Sequence, residues 1–181
     1  MNRLNYFVTY ISLCCLIVSC QESNTIKSAS IPTSPLFGSW QMEEIHWITP
    51  DTTYSIPTAQ PGIFMLNEAS YTIIWTPTQE PRIPFDTLAK PTAAEMQAGF
   101  RSIVFNSGSY ELSDSTLTTT AMVAKVPGFE GGKQFYRYQI EQDQLTLQMF
   151  DETYPDGGKP EWYGKVETQF KLKRIAAKRN N

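Results

Sequence analysis

The chain has 181 residues, and 15 Lys and Arg against 18 Asp and Glu give it a formal net charge of −3. This weakly acidic composition indicates no nucleic acid partner, because binding to phosphates requires a basic surface. All three cysteines lie within the first 20 residues. The rest of the chain therefore has no disulfide, no thiol nucleophile and no cysteine ligand for a metal, and its core must stabilise it.

The first 19 residues have the pattern of a secretory signal peptide. A short polar start that carries Arg3 precedes an apolar run from Tyr6 to Val18, which is shorter than the roughly 20 apolar residues of a transmembrane helix. The end of this run resembles the lipobox of bacterial lipoproteins, and it reads Leu16-Ile17-Val18-Ser19-Cys20. The resemblance implies cleavage before Cys20 and attachment of lipid to its thiol. An ordinary secreted protein, cleaved at the same place without lipid, is the alternative.

Lipidation predicts that the protein contacts a membrane through Cys20. Several acyl chains anchor a protein firmly, since each buried CH2 group contributes about 0.8 kcal/mol. Gln21 follows the cysteine in place of the Asp associated with inner-membrane retention in enteric bacteria, so we expect a location in the cell envelope, at the outer membrane. The predicted organisation is a signal peptide over 1–19, the lipidated cysteine and a flexible tether over 20–35, one domain over 36–175 and a basic tail over 176–181.

Alternation of apolar and polar residues with period two predicts antiparallel strands from Leu36 onward. Residues 166–173 alternate at every step, and residues 136–140 and 145–149 alternate on either side of a Gln142-Asp143 turn, which predicts a hairpin. The other predicted strands are 38–48, 52–56, 62–66, 71–75, 104–112 and 117–124. Nine strands with short connections indicate an all-β sandwich or barrel.

One helix is predicted between the strands. Thr92 and Glu95 have the spacing of a capping box, and they predict a short helix over 92–103. The residues before it, 76–90, contain Pro77, Pro81 and Pro84 and have no hydrophobic period, which predicts a long loop. Loops of this length are uncommon unless they serve as lids or rims.

The order of several motifs resembles the bacterial lipocalin-like domain family. Gly38-Ser39-Trp40, which opens the first strand, resembles the Gly-x-Trp signature of lipocalins, whose Trp closes the barrel floor. The predicted helix follows, and then three matching stretches at 105–111, 126–132 and 138–147. Over 36–175 the resemblance implies an antiparallel up-and-down β-barrel of about 8–9 strands with one short helix, around a cavity for small, often apolar compounds. The chain departs from the family at Thr118–Thr120, where members often carry a His.

Inward-facing aromatic residues are the predicted ligand contacts. Aromatic walls with a few polar groups hold flat apolar molecules, and buried phenols need hydrogen-bond partners. The alternative is that these side chains only fill the core. The predicted contacts are Trp40, Tyr71, Trp75, Tyr110 and Tyr138. The rest of the inward-facing set is Met42, Ile73, Val104, Leu112, Tyr136, Leu147 and Phe170.

The sequence predicts no enzymatic activity, no metal and no cofactor. His46, two residues after Glu44, is the only histidine, and a lone imidazole cannot form the usual zinc site. The favoured function is therefore a lipid-anchored binding protein for a small hydrophobic ligand. Two other hypotheses stay open: a structural or protein-interaction lipoprotein with a packed barrel, which uses the loops at 76–91 or 125–133, and an enzyme that uses His46 and Glu44.

Overall fold

The computed structural model describes residues 34–176. The predicted signal peptide, Cys20, most of the tether and all but the first residue of the basic tail lie outside this range. The described part contains β1 (Gly38–Ile48), β2 (Thr53–Ile56), β3 (Ile63–Leu66), β4 (Tyr71–Trp75), α1 (Ala93–Arg101), β5 (Val104–Leu112), β6 (Thr116–Ala124), β7 (Lys133–Glu141), β8 (Gln144–Thr153) and β9 (Glu167–Arg174). The predicted all-β class, with its strands and short helix, is confirmed, and the elements differ from the prediction only near their ends.

Eight of the strands form a closed antiparallel barrel. They pair in the order β1-β3-β4-β5-β6-β7-β8-β9, and β9 pairs with β1 to close the cylinder. The closing pair extends from Trp40 opposite Arg174 to Ile48 opposite Glu167. β2 lies outside the cylinder and pairs with the last four residues of β1. Closure leaves these eight strands without the unpaired edge that an open sheet exposes.

Apolar side chains from alternate strand positions fill the interior of the barrel. Four residues of the predicted inward-facing set are partly buried and pack against the core: Val104, Tyr110, Leu112 and Tyr138. The others are buried, namely Trp40, Met42, Tyr71, Ile73, Trp75, Tyr136, Leu147 and Phe170. The core also contains Leu36, Ile45, Ile56, Phe64, Leu66, Leu117, Leu145 and Leu172. The middle of the barrel is thus a packed core, as interiors of proteins usually are.

Trp40 closes the end of the barrel where β1 begins and β9 ends, which we call the closed end. Its side chain is fully buried, and its Nε1 donates a hydrogen bond to the carbonyl oxygen of Leu36 (2.9 Å). The guanidinium of Arg174 lies 4.0 Å from the centre of the Trp40 ring. Arg174 also donates to the carbonyl oxygens of Phe37 (2.9 Å) and Pro35 (2.7 Å). The resemblance to lipocalins predicted a Trp in this position.

The opposite end, where β4, β6 and β8 finish, is called the open end. Here residues 76–92 and α1 connect β4 to β5. The capping box is formed as predicted, because Thr92 N donates to Glu95 Oε2 (2.7 Å) and Glu95 N donates to Thr92 Oγ1 (3.2 Å). α1 has no buried residue. Within residues 34–176 there is no helix of the length and hydropathy that a membrane span requires.

The burial of Trp40 at the closed end leads to a prediction about the stability of the protein. We expect Trp40→Ala to lower the free energy of unfolding by about 3–5 kcal/mol, the usual loss for a large buried aromatic residue, because it leaves a cavity beneath Arg174. Tyr54→Ala is the control, since Tyr54 is 64% exposed on β2, and it should change stability by no more than about 0.5 kcal/mol. Urea unfolding followed by circular dichroism measures both. A Trp40→Ala loss below about 1 kcal/mol contradicts the role of Trp40 as the closing residue.

Candidate functional site

A chain of buried polar side chains lies inside the open half of the barrel. Gln134 on β7 is its centre: its Oε1 accepts hydrogen bonds from Asn106 Nδ2 (3.1 Å) and from the Tyr136 hydroxyl (2.8 Å). Its Nε2 donates to Glu152 Oε2 (2.7 Å). Asn106 and Gln134 are 4% and 8% exposed, and Tyr136 is 2% exposed. Polar groups this deeply buried require partners, and here they supply one another.

A β-bulge in β8 turns Glu152 toward this chain. The pairing with β7 steps from Tyr136 opposite Met149 to Phe135 opposite Asp151, so that Phe150 is an extra residue. Beyond the bulge Glu152 pairs with Gln134, which faces the interior. Without the extra residue, the alternation from Leu145 through Met149 would place Asp151 inside. Bulges often re-aim side chains in this way beside functional sites.

A second bulge, in β6, shapes the opposite wall of the same region. The pairing with β5 steps from Gly108 opposite Ala121 to Ser107 opposite Val123, so that Met122 is the extra residue. Val123 is 56% exposed, whereas Ala124 lines a cavity. The two strands approach very closely here, because a Cβ on Gly108 would lie 2.1 Å from the carbonyl oxygen of Thr120. Only glycine fits at that position.

The two bulges border a cavity of about 240 Å³, which we call the open-end cavity. Asn106, Gln134 and Glu152 form its polar part. The β6–β7 loop and the end of β8 contribute Phe129 and Tyr154, whose rings meet edge to face with 6.3 Å between centres. The other lining residues are Val104, Phe105, Ala124, Lys125 and Val126. The cavity thus combines apolar and aromatic walls with a polar floor, as small-molecule sites do.

Two groups in this cavity are not fully stabilised by the protein. Asn106 Oδ1 is buried and has no hydrogen-bond partner. Burial raises the pKa of the Glu152 carboxyl, the hydrogen bond from Gln134 opposes this increase, and the charge of Asp151 adds to it. Burial also lowers the pKa of Lys125, whose ammonium lies 4.4 Å from the ring centre of Phe100. An unsatisfied acceptor beside a carboxyl of raised pKa marks a candidate ligand site.

The five predicted ligand contacts are not brought together by the fold. Trp40 belongs to the closed end, and the hydroxyls of Tyr110 and Tyr138 donate to backbone oxygens of Asn67 (2.7 Å) and Ser113 (2.8 Å), in the turns of that same end. Tyr71 is buried in the core, where burial raises its pKa to about 12 and a hydrogen bond with Thr119 opposes the increase. None of these side chains is among those that line the open-end cavity. Their role as ligand contacts stays a prediction.

Trp75, the fifth predicted contact, lies at the open end. Its ring packs against Phe170 (5.0 Å between centres) and Trp47 (6.3 Å). On its other side it borders a groove of about 680 Å³ on the outer wall of the barrel, together with the outward-facing Ile63 and Ile74. The long loop covers part of this groove, where Arg82 Nε donates to Ser102 Oγ (2.9 Å) and Gln60 Nε2 donates to Gln79 O (2.7 Å). The groove is larger than the open-end cavity, and these hydrogen bonds engage the side chains of Gln60 and Arg82, while Gln41 and Thr76 are the other polar residues of its lining.

His46 lies on the outer wall of the barrel in a cluster with Ser55 and Glu44. Its Nδ1 is 2.7 Å from Ser55 Oγ and its Nε2 is 2.9 Å from Glu44 Oε2, which also binds Lys171 Nζ at 3.0 Å. The hydrogen bond from Lys171 lowers the pKa of Glu44. The order Ser–His–Glu suits nucleophilic catalysis, and Ser55 lies on β2, an edge strand that pairs only with β1. The hypothesis of an enzyme that uses His46 and Glu44 stays a prediction.

Metal ligands are sparse in the part of the chain that the structure describes. There, no three His, Cys, Asp or Glu residues are grouped so that they could hold a metal ion. At the open-end cavity, Asn106 Oδ1 and the Glu152 carboxylate are fewer oxygen ligands than the 6–8 that calcium takes. These two residues alone therefore do not make a calcium site.

Comparison with known proteins places this barrel in a family. None of the curated proteins compared with the chain matches it. A solved structure of an uncharacterized protein from Bacteroides eggerthii DSM 20697 is similar with a TM-score of 0.39 and 11% sequence identity, over 77% of this chain and 99% of that chain. A family model described as a lipocalin-like domain matches residues 37–166, most of the barrel described above. The chain therefore belongs to the lipocalin-like domain family.

Proposed function

We propose that this protein is a lipid-anchored, extracytoplasmic binding protein that holds a small molecule in the open-end cavity. Membership of the lipocalin-like domain family suggests small-ligand binding in general. The observation that supports this particular site is the buried Oδ1 of Asn106, which has no partner in a cavity that also contains Glu152. A buried acceptor without a partner costs about 1–3 kcal/mol, and a bound donor would offset that cost.

The proposed ligand has a polar head and a short apolar body. The middle of the barrel is filled by core side chains such as Leu147 and Phe170, which are 0% and 1% exposed. The space for a ligand is the open-end cavity, where its head faces Asn106 and Glu152. Its apolar part contacts the walls that Val104, Phe105, Val126, Phe129 and Tyr154 provide. This site is shallower than the aromatic interior that the sequence predicted.

The proposed anchor is the lipid on Cys20, at the end of the lipobox-like run. With Gln21 as the next residue, we propose the outer membrane as the location. We propose no catalytic role for the protein.

A protein partner is the second candidate function. It is favoured by the long loop, where Ile83 and Leu88 are 84% and 81% exposed, because large apolar side chains at such exposure suit a contact surface.

The binding function is tested by filling the cavity. We expect Ala124→Trp to abolish the copurification of a small molecule, because the indole occupies the space of the ligand. Val123→Trp is the matched control, since the neighbouring Val123 is 56% exposed on the outer face, and it should retain the ligand. Native mass spectrometry of protein purified from membranes measures the bound mass. The same bound mass in wild type and Ala124→Trp contradicts this site.

The anchor is tested by substitution of its cysteine. We expect Cys20→Ser to abolish incorporation of labelled palmitate and to release the protein from the membrane fraction, because a hydroxyl does not replace the thiol in the thioether bond. Cys15→Ser, within the same predicted signal peptide, should leave both unchanged. Labelling followed by fractionation measures the two effects. Labelled Cys20→Ser protein would mean that another residue carries the lipid.

The raised pKa of Glu152 predicts that its contribution to the stability of the protein depends on pH. A carboxyl whose pKa is raised by folding contributes stability below its ordinary value of 4.5 and loses it as the pH rises through the higher folded value. We therefore expect Glu152→Gln, which still accepts from Gln134, to be more stable than wild type at pH 8, and this gain to vanish below pH 4.5. Thermal unfolding across this range measures the difference.

Glu111→Gln is the control for this experiment. Glu111 is an exposed carboxylate near the closed end of β5. Its replacement removes a charge that folding does not bury, so it should not stabilise the protein at pH 8. If Glu152→Gln were no more stable than wild type at pH 8, the claim that ionised Glu152 destabilises the folded protein would be wrong.

A further inference from the structure

We propose that the open-end cavity recognises a primary amine, whose ammonium group donates hydrogen bonds to Asn106 Oδ1 and to the Glu152 carboxylate. This inference rests on the proposed function, because it names the ligand class of the same site. Three properties of the cavity support an amine: the acceptors that the polar chain leaves without partners, the charge of the cavity and its size.

The hydrogen bonds of the polar chain leave acceptors for a ligand. Asn106 Nδ2 and the Tyr136 hydroxyl both donate to Gln134 Oε1, and Gln134 Nε2 donates to Glu152 Oε2. Each of these groups therefore has a partner within the protein, and the two amide nitrogens each carry one further N–H. Asn106 Oδ1 has no partner, and a carboxylate can accept several hydrogen bonds beyond the one from Gln134. An ammonium group, with three donors and no acceptor, complements these oxygens.

The charge of the floor also favours a cation. Burial, together with the neighbouring charge of Asp151, disfavours the ionised carboxylate of Glu152 and raises its pKa. In residues 34–176 no Lys, Arg or His forms a salt bridge with Glu152. An ammonium ion would supply the missing positive charge, and hydrogen bonds between charged groups are roughly twice as strong as neutral ones. The rings of Phe129 and Tyr154 add faces that attract cations.

Lys125 would support the opposite proposal, in which the ligand is an anion. It also lines the cavity, and a carboxylate ligand could pair with it. Its ammonium, however, lies over the ring of Phe100 on α1 at 4.4 Å, whereas the unpartnered oxygen belongs to Asn106. The buried atom without any partner is an acceptor, which favours a ligand whose head is a donor. An anion held by Lys125 is therefore an outcome that would overturn the proposal.

The size of the cavity restricts the rest of the molecule. Its volume of about 240 Å³ equals roughly eight waters at about 30 Å³ each, which is below the range of about 300–1,000 Å³ for drug-sized ligands. One ring with a short chain fits such a space. The aromatic and aliphatic walls would contact that ring.

Three probes of the same shape test the head group. They are 2-phenylethylamine, 2-phenylethanol and 3-phenylpropanoate, which carry an ammonium, a hydroxyl and a carboxylate on the same ring and chain. Calorimetric titration of the full-length protein in detergent at pH 7.5, corrected for titration into detergent alone, gives the three affinities. We expect the amine to bind at least about tenfold more tightly than the other two, the ratio that corresponds to roughly 1.4 kcal/mol.

Variants test whether Asn106 and Glu152 cause the tighter binding of the amine. We expect Glu152→Gln and Asn106→Leu each to weaken the amine about tenfold or more, and Glu152→Gln to leave the alcohol nearly unchanged. Glu111→Gln, which removes an exposed carboxylate near the closed end of β5, should bind the amine like wild type. A variant that failed to fold would lose all probes together, and circular dichroism identifies that case.

The remaining outcomes separate this inference from the proposed function. Equal affinities for the three probes, or a carboxylate that binds most tightly and is lost in Lys125→Met, overturn the amine proposal while small-molecule binding stands. If no probe binds but native mass spectrometry still shows a ligand that Ala124→Trp removes, the amine proposal also fails alone. If the cavity-filling variant removes nothing and no probe binds, the proposed site itself is wrong.

Discussion

The hydrogen-bonded pairing of β1 with β9 is the constraint on which the rest of the structure depends. These strands are the first and last of the fold, and their pairing converts a meander into a cylinder. It brings Arg174 to within 4.0 Å of the Trp40 ring, and the same contact covers the closed end. Because closure leaves no edge in the cylinder, every inward-facing side chain must be accommodated in one enclosed space. Apolar side chains fill most of that space, and the hydrogen-bonded chain of Asn106, Gln134, Tyr136 and Glu152 lies in the open half.

Buried polar groups at the two ends of the barrel have different kinds of hydrogen-bond partners. At the closed end each polar tip finds a backbone partner: Trp40 donates to Leu36, and the hydroxyls of Tyr110 and Tyr138 donate to the turns. At the open end the polar side chains bind one another, and Asn106 Oδ1 is left over. A satisfied network stabilises and fixes a structure, whereas an incomplete one costs free energy. The incomplete end is therefore where a ligand has the most to contribute.

The fold was accessible from the sequence because its strands follow a simple period. Alternation in 166–173 and the hairpin around Gln142 predicted β7 to β9, and Gly38-Ser39-Trp40 predicted the closed end. The open-end cavity was not predicted, for a physical reason. Alternation assigns Gln and Glu to the wet face, and the bulge at Phe150 moves Glu152 inside by shifting the period by one residue. A one-residue shift exchanges the two faces of a strand, and the alternation of apolar and polar residues did not predict it here.

The aromatic residues show what a pattern can and cannot predict about hydrogen-bond partners. Tyr110 and Tyr138 were predicted to face inward with hydroxyls in need of partners, and they do have partners, but these are backbone oxygens of turns. A sequence shows that a phenol needs an acceptor and does not show that a turn supplies it. Asn106 is the reverse case, because its side chain looks ordinary in the sequence and yet keeps an unpartnered oxygen in the cavity that Phe129 and Tyr154 also line. Unmet hydrogen-bonding capacity, which only the three-dimensional arrangement reveals, is thus a better guide to this site than residue type.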